Sequence, residues 1–332
     1  MGIAPKTATA TIHVPGRLSS RSGEQRPSNQ RSGGQRPRRQ RVGGQRSGYV
    51  FLLPWIVGFV AITAGPLLAS LYLSFTDYNM LQPATWVGDD NYVEMFTSDP
   101  RFYKSLAVTG IYVFVSVPLQ LAGALALAIF LDKGVRGLNA YRSAYYLPSL
   151  IGGSVAIGLL WYIVFGYEGG VNSVLSALGF ENLPNWIANQ HTAIWTLVLL
   201  NLWTFGAPMI IFMAGLRQVP AELYEQAQLD GAGKWRQFTN VTVPLLTPII
   251  FFNLILQLIA AFQAFTPAFV ISRGTGGPVD STLFYTLYLY LEGFTQFNMG
   301  YASAMGWILL IIIGIFTGLN FLFSKYWVFY ND

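Results

Sequence analysis

Few residues in this 332-residue chain have types and spacing that could do chemistry. The chain has no cysteine, which excludes thiolate ligands and thiol nucleophiles. Its two histidines, His13 and His191, stand far apart with no ligand spacing around them, so neither marks a metal site. The Gly233-Lys234 pair is followed by Trp235 and lacks the upstream glycine of a phosphate-binding loop. The chain is therefore not expected to hydrolyse ATP by itself. Two kinds of residue remain. The first is a set of uncharged polar and aromatic side chains inside apolar stretches: Asn201 with Trp203, and Gln263 with Thr266 three positions on. Such groups hold a polar solute by hydrogen bonds and flat apolar contact, or else bond neighbouring helices, and both readings stay open.

The second is the stretch 215–244, which mixes charge with apolar residues. Pro220 suits a first helical position, and residues 221–229 are good helix formers. Asp230 is a plausible N-cap for a second short helix, with Gly231 as a permissive turn. Leu223, Tyr224, Ala227 and Leu229 are expected to make one side of the first helix apolar, with Glu222 and Glu225 left polar. Trp235, Phe238 and Val241 recur at helical spacing in the second. So much apolar surface in a loop calls for a protein partner, or for a lipid surface to lie on.

The elements that must position these residues are apolar runs. Hydrophobic residues make up 53% of the chain and charged ones 11%, against about 25% charge in an ordinary soluble domain. Runs free of charge cover 49–76, 105–131, 143–167, 192–216, 244–272 and 293–324. Each holds about 20 or more mostly apolar residues, enough for a helix to cross some 30 Å of hydrocarbon. Barrel strands would alternate over about ten residues, so the pattern predicts an all-α membrane protein with about six transmembrane helices. The aromatic stretch 281–291 is too short for a seventh span and is read as an interfacial or re-entrant helix on the outer face. No Asp, Glu, Lys or Arg lies inside the six runs, which weighs against an ion-coupled carrier.

Charge placement sets the orientation. The first 48 residues carry ten Lys and Arg against one acid, Glu24, while the remainder carries ten against fourteen acids. With the tail inside, Lys133, Arg136, Arg142, Arg217, Lys234, Arg236 and Lys325 also fall inside, and only Arg101, Lys104 and Arg273 fall outside. That bias predicts N-in, C-in. The tail itself repeats a decamer (RSGEQRPSNQ, RSGGQRPRRQ, then RVGGQRSGYV) and has almost nothing to bury, so residues 1–48 are expected to be disordered. An arm for anionic lipid or nucleic acid is the sharper reading; a solvated tail that holds the N-terminus inside is the one adopted, with no nucleic-acid partner.

In Glu225-Gln-Ala227, Asp230-Gly231-Ala232, Phe238 and Pro244, the loop resembles the cytoplasmic signature of ABC importer permeases, departing from it at Gln226, where the family usually has alanine. Ser74-Phe-Thr-Asp-Tyr78, Gly88 with Asn91-Tyr92, Tyr146-Leu-Pro148, Trp161 and Gly276-Gly-Pro278 are similar to the carbohydrate-importer branch, over about 49–330. Within it, the chain looks most like the maltose-transporter-type subunit that pairs with a second, different permease. The resemblance implies a type I importer permease fold over 49–330, with loop 217–244 as the coupling element. Glu225, Ala227, Asp230, Gly231 and Ala232 would then dock on an ATPase subunit. It further implies two such ATPases, which hold the ATP and Mg, an extracytoplasmic solute-binding protein, a sugar as cargo, and a bacterial or archaeal cytoplasmic membrane. By this resemblance Asn201, in Asn-Leu-Trp with Trp203, contacts sugar; Gln263 and Thr266 correspond more loosely, by their distance from Gly276. Other classes, a secondary ion-coupled carrier and a non-transporting scaffold or receptor, stay as alternatives.

Overall fold

The computed structural model describes residues 44–132, 134 and 137–329, so most of the expected tail, and with it Lys133 and Arg136, lies outside the described residues. The chain divides into two units, 1–56 and 57–332. Of the first, the described part is the opening of helix α1 (Gly44–Phe59). In the second, a π-helical turn (Val60–Ala64) leads into α2 (Gly65–Leu73). Pro66 lacks the N–H that would extend the α-helical ladder there, which accounts for the wider turn before it. A two-stranded antiparallel ribbon follows, β1 (Thr76–Asp77) with β2 (Thr85–Trp86), then a short helix, α3 (Asp90–Thr97).

Helix α4 (Pro100–Asp132) is the spine of the fold. Its 33 residues span about 50 Å. Asp99 starts it: one carboxylate oxygen accepts the backbone N–H groups of Arg101 and Phe102, with Pro100 in the first helical position. After it come α5 (Leu138–Ile151), α6 (Val155–Val164), α7 (Gly170–Ala177), α8 (Ala193–Trp203), α9 (Gly206–Leu216), α10 (Ala221–Leu229) and α11 (Lys234–Gln237). A second π turn (Phe238–Thr242) opens α12 (Val243–Phe262), followed by α13 (Thr266–Ile271), α14 (Tyr285–Tyr290) and α15 (Met299–Trp327).

Four stretches are long and apolar enough to cross a bilayer: Phe51–Leu73, Pro100–Asp132, Lys234–Ile271 and Met299–Trp327. Two bent pairs, α5 with α6 and α8 with α9, bring the number to six when each counts as one span. The fold is thus the expected all-α membrane architecture. It differs from the expectation of six plain helices in the third and fourth spans. The third bends by 99° where Gly152-Gly153 interrupt the helix and the Ser154 side chain accepts the Ile157 N–H to cap the next one. The fourth bends by 41° before Gly206, which packs so close to α5 that a Cβ there would sit 2.2 Å from the Tyr145 carbonyl. The helices also outrun the charge-free runs, so Arg101, Lys104, Lys234, Arg236 and Lys325 lie near helix ends.

Helices α8, α9, α12 and α14 pack around α4, burying Val113, Val117, Ala124, Leu197, Met209 and Leu246. Burial of side chains on this scale stabilises by about 1.5–3 kcal/mol each relative to water exposure, but in lipid the gain comes mainly from packing. The segment 281–291, expected as an interfacial or re-entrant helix, is packed inside the protein. Leu283, Phe284, Tyr285 and Leu287 are buried, the Phe284 ring lies 4.6 Å from Tyr112, and the Tyr285 N–H donates to Thr109 Oγ1 at 2.8 Å. The Tyr285 hydroxyl donates to the Met305 carbonyl at 2.9 Å, tying α14 to α15. Irregular backbone beside membrane helices persists when it is wrapped in protein in this way.

The same end of α4 gathers a polar cluster. Asp99 Oδ2 accepts hydroxyls from Tyr288 at 2.6 Å and from Tyr301, while Arg101 forks onto Asp280 at 3.1 and 3.0 Å. Glu292 is buried beside them, accepting from Gln296 at 2.9 Å. Burial raises its carboxyl above its ordinary value, opposed by the hydrogen bond from Asn298.

Candidate functional site

Between α4, α5, α8, α12 and α13 lies a cavity of about 290 Å³ whose walls are uncharged. Asn201 and Thr266, at the end of α8 and the start of α13, both line it, with Ser149, Thr204 and Gln257. Asn201 sits at the bend of the fourth span rather than mid-helix: its carbonyl accepts from the Thr204 N–H and hydroxyl. Its Nδ2 donates to Ser116 Oγ at 3.0 Å and Gln120 Oε1 at 3.4 Å. Gln120 in turn donates to Thr204, and Ser149 bridges the Thr204 carbonyl and the Ala207 N–H. This network satisfies the backbone groups that the break releases, as a helix interrupted at lipid depth requires.

The other two expected path residues are not in the cavity lining. Trp203 packs its ring 5.7 Å from Trp161, whose Nε1–H donates to the Thr196 carbonyl at 2.9 Å. Gln263 is exposed at the C-cap of α12. Gln263 and Thr266, whose spacing of three would place them on one helical face, do not share one, because α12 ends at Phe262 and α13 begins at Thr266. Three-residue spacing places side chains together only within one helix. Gln257, a lining residue on α12, carried no sequence signal beyond being an amide in an apolar run.

At the other end of α4, loop 217–244 is rooted by the Arg217–Asp132 ion pair at 3.3 Å. It forms the two expected short helices, with caps placed differently. Pro220 is the N-cap of α10 rather than its first residue, and Asp230 is its C-cap, not the N-cap of the next helix; Gly233 takes that place. Gly231 follows at φ +77°, its N–H donating to the Gln228 carbonyl at 3.0 Å, and the Ala232 N–H donates to the Ala227 carbonyl at 2.8 Å. These two bonds are the Schellman closure, which asks for a left-handed residue, best supplied by glycine, just past the helix end. The Tyr224 hydroxyl meets Thr242 Oγ1 at 2.9 Å and fixes α10 against the root of α12.

Leu223, Tyr224 and Ala227 form the half-buried inner side of α10, whereas Leu229 is 88% exposed and off that side. At 100° per residue Leu229 lies about 240° around from Leu223, which accounts for the difference. Glu225 and Asp230 are exposed, and Trp235, its ring tilted 42° to that of Phe238 at 5.5 Å, is 76% exposed. The loop thus presents a rigid, capped helix with unspent apolar and acidic groups.

The sequence profile of the family described as "Binding-protein-dependent transport system inner membrane component" matches residues 97–326. The chain belongs to this family. Among curated relatives, the Probable ABC transporter permease protein YesP of Bacillus subtilis is 48% identical over 286 residues, covering 86% of this chain and 93% of the relative. The arabinooligosaccharides transport system permease protein AraP of the same species is 34% identical, covering 80% and 84%. The lactose transport system permease protein LacF of Rhizobium radiobacter is 30% identical, covering 83% and 93%. In fold, the permease is similar to a bacterial alginate ABC transporter crystallised with an alginate pentasaccharide-bound periplasmic protein, at a TM-score of 0.72 and 20% identity, covering 84% of this chain and 94% of that one.

Several motifs that carried the resemblance have structural work in the permease. Asn91 Nδ2 donates to the carbonyls of Ser74 and Thr76 and the Tyr92 hydroxyl donates to Ser74 Oγ, so Ser74-Phe-Thr-Asp-Tyr78 and Asn91-Tyr92 lock to each other. Gly276 and Gly277 both adopt positive φ, and the Gly276 carbonyl accepts from Thr282, which turns the chain into the buried α14 segment. The permease is a multi-pass membrane protein.

Proposed function

We propose that this permease is one transmembrane half of an ATP-driven importer of saccharides. The observation that carries the reading is the pairing, within one chain, of a rigid exposed α10 with an uncharged hydrogen-bonding cavity on the helices to which its loop is rooted. Relatives named for arabinooligosaccharide and lactose transport support a saccharide as cargo. The structural relative captured with a solute-loaded periplasmic protein supports an extracytoplasmic binding protein as donor. A second, different permease completes the path and two ATPase subunits hold the ATP and Mg, so this chain is a non-catalytic subunit. It lies in a bacterial or archaeal cytoplasmic membrane with the basic tail and loop 217–244 on the inner side, as the Lys/Arg bias supports.

Residues Ala221–Leu229 dock on an ATPase, with Glu225 toward a basic residue, Ala227 and Ala232 at the close contact, and Asp230-Gly231 setting the helix end. Nucleotide binds the closed ATPase pair better than the open one, and α10 passes that population shift to the bent spans. Asn201 and Thr266 remain in the solute path. Family membership favours this reading over an ion-coupled carrier.

Purification of the permease with its operon neighbours tests the proposal. It should carry along a second six-span protein and a phosphate-loop ATPase, and proteoliposomes should take up saccharide on internal ATP without an ion gradient. Gradient-driven uptake by the chain alone, or full activity as a homodimer, refutes it.

A further inference from the structure

The ribbon between α2 and α3 carries exposed apolar groups where two spans end. The Gly300 N–H, in the first turn of α15, donates to the Tyr78 carbonyl at 3.0 Å, and a Cβ at 300 would clash with the Thr76 carbonyl. Tyr301 reaches Asp99 at the start of α4, whereas loop 217–244 is rooted at Asp132, its far end. The ribbon therefore sits at the ends of α2 and α15 remote from that loop. Residues 78–88 hold no charged side chain. At the tip Met80 takes φ +60°, and Leu81 is 80% exposed. Asn79 makes the turn: its Oδ1 accepts the N–H groups of Leu81 and Gln82 at 3.1 and 3.0 Å, and Pro83 has no N–H to offer. Three consecutive tip residues thus leave no backbone donor unbonded, which is what backbone needs before it can leave water.

On the ribbon's flank the Trp86 ring stacks on Phe75 at 5.6 Å and lies 5.8 Å from Tyr72. Tyr72 shares one exposed stripe of α2 with Leu68, four residues back, so Trp86 extends the apolar face that α2 turns away from the protein. Trp86 is itself exposed, and its Nε1–H bonds to nothing among the described residues. An apolar ring with a spare donor suits the boundary between acyl chains and headgroups, where Trp and Tyr gather. We infer that the ribbon is an interfacial anchor: Met80, Leu81 and Trp86 enter the lipid boundary on that side and hold the ends of α2 and α15 at its level. Lipid is the occupant because the patch continues the outward stripe of a membrane span, and because charge resumes only beyond it. Asp77 before the patch, and Asp89 and Asp90 after it, are exposed and stay in water. The anchor gives α2 and α15 a fixed depth whatever the cargo.

The chain has no cysteine, so the single variants Leu81→Cys and Asp89→Cys each accept one nitrobenzoxadiazole label. Each is assembled with cysteine-free partner subunits in vesicles of phosphatidylethanolamine and phosphatidylglycerol. The label at 81 should emit to the blue of the label at 89 and be quenched by a nitroxide high on the lipid acyl chain. Aqueous iodide should leave it unaffected and should quench the label at 89. Asn79→Ala frees two backbone N–H groups, so in that background lipid quenching at 81 should fall toward its value at 89. Iodide quenching at 81 without lipid quenching places the tip in water and overturns the inference. A label at 81 that answers to neither quencher, or is shielded only when the solute-binding protein is added, has a protein occupant and overturns it too. Lipid quenching at 81 that survives Asn79→Ala unchanged overturns the part given to the turn.

Discussion

Gly231 offers the sharpest handle on coupling. Its φ of +77° lies in the left-handed region, and a Cβ built there meets nothing within 4 Å. Steric clash inside the chain is therefore absent, and the cost of Gly231→Ala is the backbone conformation alone, about 1–2 kcal/mol. That shifts the balance between the closed and frayed end of α10 by about 5- to 30-fold and threatens the two closing bonds to Ala227 and Gln228. Asparagine tolerates the left-handed region, so Gly231→Asn should recover most of the loss. Gly231→Trp shares that backbone cost and adds bulk at an exposed turn, so a deficit well beyond that of Gly231→Ala is what docking on an ATPase groove predicts. The assay is solute taken up per ATP hydrolysed in proteoliposomes of the whole importer, with membrane yield as the control. Gly231→Ala should lower coupling severalfold, Gly231→Asn should restore it, and Gly231→Trp should nearly abolish it at normal insertion. Normal coupling in Gly231→Trp would refute the docking argument, and identical behaviour of Ala and Asn would refute the capping argument.

Three further outcomes follow from packing and charge. Gly206→Ala drives a Cβ to 2.2 Å from the Tyr145 carbonyl, whereas Gly110 has nothing within 4 Å; thermal unfolding in detergent should show a loss of about 1–3 kcal/mol for Gly206→Ala and little for Gly110→Ala. Asp99→Ala removes a helix cap worth about 1 kcal/mol and leaves the Tyr288 and Tyr301 hydroxyls without their acceptor, so it should lower the unfolding midpoint more than Asp89→Ala, whose side chain makes no cap bond. The Glu292 carboxyl is raised by burial, so the folded state favours its proton: below the ordinary carboxyl range it costs nothing, and stability falls as pH rises through the raised value. Glu292→Gln should flatten that decline and stabilise the permease at neutral pH, read as the unfolding midpoint from pH 4 to pH 8.

The sequence determined by itself whatever depends on the local character of a stretch. Charge-free runs of about 20 residues have one stable form in a bilayer, so six spans and their positions could be read directly, as could the two short helices of loop 217–244. Tertiary structure decided where those helices break and which side chains meet. The fourth span bends where Gly206 packs against Tyr145, a close approach that exists only once helices pack. The same packing buries 281–291, which hydropathy alone left as interfacial or re-entrant, and leaves Glu292 within the protein. It also separates Gln263 from Thr266 and brings Tyr112, Asn201 and Gln257 to one cavity from three helices far apart in the chain. Periodicity orders side chains around one helix axis. A helix that ends two residues later, or a partner from another helix, leaves no trace in that period.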